Sequence, residues 1–83
     1  MNVRVYVTPK KGILDPQGVA VERSLPNLGF TGVSGVQIGK IIDLTIAGDG
    51  LSVEAARQQV DEMCRRLLAN PIIEDYTFEF TDG

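Results

Sequence analysis

The sequence predicts an α+β domain of two layers: an antiparallel sheet of three or four strands with two helices on one face, in the order β-α-β(β)-α-β. Three observations predict it. Stretches near both ends alternate apolar and polar residues, the period of two that marks a half-buried strand. Two stretches between them carry apolar residues at spacings of three and four, the stripe of an amphipathic helix. With 83 residues there is room for one core, so residues 1–83 form a single domain.

The first strand rests on Val3, Val5 and Val7, which alternate with Asn2, Arg4, Tyr6 and Thr8. Pro9 has no N–H to donate and ends the ladder. The segment "KKGILDPQG", residues 10 to 18, then starts a helix. Asp15 suits the N-cap and Pro16 the first helical position. Leu14 and Val19 are placed to close a hydrophobic staple across that start. Val21, Leu25 and Leu28 extend the apolar stripe, and Pro26 within it should kink the helix or tighten its last turn. Gly29 is the stop.

From residue 36 to 46 the even positions read Val, Ile, Lys, Ile, Leu, Ile, a strand pattern with a defect at Lys40. Gly39-Lys40 is either a two-residue hairpin turn or a bend in one long strand. The unbroken parity on both sides favours the bend. Burying an unpaired ammonium at that parity would cost several kcal/mol, so the chain has to release Lys40.

"GDG" at 48–50 is a turn, and Ser52 caps the second helix. Its stripe is Val53, Ala56, Val60, Met63, Cys64 and Leu67. Asp61 with Arg65 and Glu62 with Arg66 are acid-before-base pairs four apart on the other face. Asn70 and Pro71 end it. In the last strand Tyr76, Phe78 and Phe80 share one face. Alternation makes the sheet's other face more polar, with Tyr6 and Ile41 falling there. An open sheet of this size has edges that invite pairing with another copy.

Composition narrows the function. The net charge of -3 and pI of about 4.7 disfavour a nucleic-acid partner. One cysteine excludes an internal disulfide and fits a reducing compartment. No export signal and no apolar run near 20 residues is visible, so the expected location is cytoplasmic, away from membranes. There is no histidine, which removes the commonest general base and transition-metal ligand. Cys64 lies on an apolar stripe, where a nucleophilic thiol is out of place. The glycines spell no phosphate loop, and the 6% of aromatic residues carry no RNA-stacking pattern. Lys10-Lys11 reads as solvated charge or as a contact surface. No catalytic, cofactor-binding or metal-binding residue is assigned.

The chain resembles the PurS family, the small subunits of phosphoribosylformylglycinamidine synthase. The likeness runs from "VRVYVTPKKGILDPQG" through "LGF" and "VQIGKIIDL" to "EMCRRLLANPIIEDYTFEF". Its most specific pieces are Gly12 to Gly18, the Gly39-Lys40 step, and Leu67 to Pro71 followed by Glu74-Asp75-Tyr76. The resemblance implies a non-catalytic role. In the family a large synthetase subunit uses ATP and magnesium on the formylglycinamide ribonucleotide, and a glutaminase subunit releases ammonia from glutamine. The small subunit, a homodimer whose dimers can pair further, bridges the two and supports ammonia transfer. It binds no cofactor of its own. Lys10, Lys11, Gly12, Gly39, Lys40 and Asn70 are then the candidate contacts with a partner subunit or a second copy. The alternative is a stand-alone regulatory module, like the ACT domains of similar topology, binding a small metabolite at a dimer interface. Ligand-dependent stabilisation without any partner would favour it.

Overall fold

The computed structural model describes residues 1–81. Its elements are β1 (Asn2–Pro9), α1 (Pro16–Ser24) with a 3-10 turn (Pro26–Leu28), β2 (Lys40–Thr45), α2 (Val53–Met63) continued by a π turn (Cys64–Leu68), and β3 (Glu74–Phe80). The class is the expected one: three antiparallel strands and two helices. β1 is the central strand, in the order β2-β1-β3, antiparallel to both neighbours.

The alternation in β1 places the core. Val3, Val5 and Val7 are at most 1% exposed. Val5 lies opposite Ile42 on one side and Phe78 on the other. These residues pack with Val60 and Cys64 of the second helical segment. Branched valines are stiff and fit a pleated face, and each one fully buried contributes on the order of 2 kcal/mol. The other sheet face is polar. Arg4 bonds Asp43 at 2.8 Å and the Tyr6 hydroxyl donates to Glu79 at 2.7 Å. Tyr6 and Ile41, opposite one another, lie on this face as expected.

The helix ends follow the sequence in most respects. Pro26 opens the tightened 3-10 turn, and Gly29 stops it at a left-handed φ of 93°. Ser52 Oγ accepts the Ala55 amide at 3.1 Å and caps α2. Arg65 bonds Asp61 at 2.9 Å and Arg66 bonds Glu62 at 3.5 Å.

Four expectations need correction. The Leu14–Val19 staple does not form: Leu14 is 76% exposed. Asp15 occupies the N-cap position without a side-chain capping bond, because its carboxylate is engaged elsewhere. The apolar stripe of α2 is shifted. Ala56, Val60 and Cys64 are buried and Leu68 packs against the core, while Val53 and Leu67 are exposed. In the π turn the Ala69 amide donates to Cys64 O at 2.9 Å, five residues back, and the extra residue in that turn brings Leu68 inward in place of Leu67. Finally, the strand pattern expected from residue 36 becomes a strand only at Lys40, with Gly39-Lys40 at the favoured bend and not in a hairpin turn. Lys40 opens β2 opposite Val7, and residues 33–39 run outside the sheet as the other arm of the bend.

α1 differs most in what it packs against. None of its residues joins the core cluster, and Val21 and Leu28 of its stripe are exposed. The molecule is correspondingly long and thin, 54 × 28 × 14 Å, with a radius of gyration of 16.6 Å. A compact chain of this length would have about 12 Å.

Candidate partner-binding site

Two glycines let the chain cross itself closely at the root of the bend. A β-carbon on Gly39 would stand 2.6 Å from Val7 O, and one on Gly18 would overlap the Val36 carbonyl. Neither is at a positive φ, so each is required for close approach and not for turning. With Gly18 against Val36, α1 lies along the arm. Two carboxylates then reach the arm's backbone: Asp15 Oδ2 accepts the Ile38 amide at 2.6 Å and Glu22 Oε1 accepts the Val36 amide at 3.2 Å. The Ile38 amide holds the Asp15 carboxyl below the usual carboxylate range.

Between this arm and the sheet lies a groove of about 270 Å³. Val7, Ile13, Ile38 and Ile73 form its apolar walls, and Asp15, Lys40 and Glu74 stand around it. A groove of this kind can take an apolar side chain from a partner while charges at its rim fix the orientation.

The candidate residues divide around the groove. Gly39 and Lys40 line it directly, and Lys40 is exposed at the end of the sheet. The Lys10 ammonium bonds Asp75 at 2.7 Å and its amide reaches Ile73 O at 2.9 Å, so Lys10 ties β1 to β3. Lys11 is exposed, and Gly12 turns the chain at a φ of 86° ahead of the Ile13 wall. Asn70 organises the turn that supplies Ile73. Its Oδ1 accepts the Ile72 amide at 3.1 Å, and its own amide donates to Glu74 at 2.7 Å. Sequence reasoning missed the carboxylate pair. Asp15 and Glu22 are seven apart, two helical turns, which places them on one side of α1.

Cys64 is not placed to act as a nucleophile. Cys64 is fully enclosed in the core, and burial pushes its thiol up from the ordinary value, with Asp61 adding to the effect. No group of three metal-ligating side chains occurs among the described residues. No helix among them is long and apolar enough to cross a membrane.

Comparison with known proteins places the chain. The family model described as "PurS: Phosphoribosylformylglycinamidine (FGAM) synthase" matches residues 2–82. A phosphoribosylformylglycinamidine synthase subunit PurS from Synechocystis is 50% identical over 80 residues, 96% of this chain and 78% of the relative. The solved PurS of Bacillus subtilis superposes with a TM-score of 0.80 at 44% identity, covering 94% of each chain. That of Methanocaldococcus jannaschii, described as one of the subunits of formylglycinamide ribonucleotide amidotransferase, gives 0.77 at 40% identity over 94% of this chain and 92% of the other. The regulatory-module alternative finds no support in these comparisons. The chain belongs to the PurS family of phosphoribosylformylglycinamidine synthase subunits.

Proposed function

We propose that this chain is the small, non-catalytic subunit of a cytoplasmic phosphoribosylformylglycinamidine synthase, acting as a homodimer that bridges the glutaminase and synthetase subunits. Glutaminase releases ammonia from glutamine. The synthetase, with ATP and magnesium, activates the amide oxygen of the formylglycinamide ribonucleotide, and ammonia replaces it. The small subunit holds the two active sites in register for that transfer, and its dimers can pair further in the assembly.

The observation that carries this reading, beside family membership, is surplus surface. The chain exposes 6019 Å². A compact monomer of its mass would expose roughly 4,900 Å², so about 1,100 Å² is in excess. A standard interface takes about 800 Å² from each partner. Much of what is exposed is apolar: Leu28, Phe30, Leu67 and Ile72 are each more than half exposed. Such a surface fits a chain completed by association.

Size-exclusion chromatography of the three subunits tests the bridge. A complex containing all three, lost when this chain is left out, is the expected result. Equal association of synthetase and glutaminase without it would overturn the reading.

A further inference from the structure

β3 has a neighbour on one side only, β1, and its outer edge lies across the sheet from β2 and the arm. The Lys10 amide donates to Ile73 O and the Thr81 amide to Asn2 O, both at 2.9 Å, which sets the phase of the β1–β3 ladder. Alternate residues of an antiparallel strand bond to opposite sides. Asp75, Thr77 and Glu79 therefore bond β1, and the amides and carbonyls of Tyr76, Phe78 and Phe80 face outward. No other described segment bonds these groups. The rings of the same residues pack against the core yet stay part-exposed. Beside Phe78 a groove of about 500 Å³ runs between β3 and α2. There Arg57 stands over the Phe80 ring at 5.6 Å and Arg65 is held by Asp61 at 2.9 Å.

We propose that this edge takes an added strand: an extended segment of another synthase subunit in which basic residues alternate with apolar ones. Charge selects that chemistry. β3 carries the carboxylates of Glu74, Asp75 and Glu79 and no cation. Asp75 and Glu79 are exposed on the polar sheet face, with Thr77 between them. Lys10 and the Tyr6 hydroxyl reach them from the β1 side. A carboxylate accepts about four hydrogen bonds, so both keep capacity towards the outer side. An added strand sets side chains beside Asp75, Thr77 and Glu79, where a cation is favoured. Its intervening residues point to the groove and rest on Phe78. A second copy on this edge is disfavoured by the same charges. Paired about a two-fold axis at Thr77 it would set Asp75 opposite Glu79 twice, and like charges directly opposite are destabilising. Main-chain bonds then supply affinity and the alternating side chains specificity. This rests on the bridging role proposed above and names a surface through which the bridge is made.

Residue-resolved hydrogen exchange tests it, on this chain alone and within the reconstituted synthase. The Thr77 and Glu79 amides should be slow in both states. The Tyr76, Phe78 and Phe80 amides should gain protection only in the complex. Two variants read the charge, and because Thr77 is exposed neither disturbs the core. At low salt Thr77→Lys should assemble several-fold more weakly than Thr77→Glu. A complex in which the three amides stay unprotected overturns the added strand and leaves the bridge standing. Protection already present in the isolated chain gives the edge to a second copy and overturns the occupant. Equal assembly of the two variants, or weaker assembly of Thr77→Glu, overturns the basic segment. Subunits that fail to assemble overturn the bridging reading itself, and the edge's occupant with it.

Discussion

The Asp15 carboxylate accepts the Ile38 amide at 2.6 Å, so a residue in helix-capping position ties down a segment 23 residues later. The bond joins the start of α1 to the root of β2 and fixes the direction in which the arm leaves the sheet.

This bond gives the arm a pH dependence. The Ile38 amide lowers the Asp15 pKa from its ordinary 3.8. A lowered carboxylate pKa contributes stability that is fully present above the unfolded value and is lost as pH falls through the folded one. The Ile38 amide resonance should therefore titrate with a midpoint below 3.8. Asp15→Ala should abolish that titration and leave the β1–β3 amides in place. A midpoint at or above the ordinary value would contradict the strap.

The glycine crossings predict steric costs. Gly18→Ala places a methyl against the Val36 carbonyl, and Gly39→Val places a branched carbon against Val7 O. Overpacking of this kind typically costs about 1–3 kcal/mol. Both variants should lose stability in that range in urea unfolding. Gly39→Val should also shift sedimentation towards smaller species while circular dichroism shows the helix content retained. An intact dimer of unchanged stability would contradict the close crossing.

The sequence made the sheet legible because β1 and β3 alternate without interruption and one face of each packs on the core. It made the helix ends legible through Ser52, Pro26 and Gly29, whose roles are local. It did not show that α1 leaves the core, since a stripe such as Val21, Leu25 and Leu28 looks the same whichever molecule covers it. The shifted face of α2 was hidden for a related reason: Leu67 and Leu68 are both apolar, and only the π turn selects between them. Of the candidate site, Gly39 and Lys40 were found from a break in parity. The bonds from Asp15 to Ile38 and from Glu22 to Val36 were not, because a bond across 23 or 14 residues leaves no periodic trace.

Pro26 opens a 3-10 turn, where its missing donor is not needed. Pro26→Ala should then destabilise the protein by about 0.4–1 kcal/mol, chiefly by loosening the unfolded chain. An increase in melting temperature would show that the ring strains the turn.

Cys64 should react slowly with an alkylating reagent under native conditions and rapidly once unfolded, because it is enclosed and its pKa is raised. Fast native modification with loss of complex activity would mark it as an accessible functional thiol.

The most direct test of the bridging role compares two nitrogen sources in a reconstituted synthase. With glutamine, omitting this chain should abolish product formation, because ammonia released by the glutaminase no longer reaches the synthetase. With a saturating ammonium salt, the synthetase should keep most of its rate without it. Full glutamine-dependent synthesis in the absence of this chain would contradict the account.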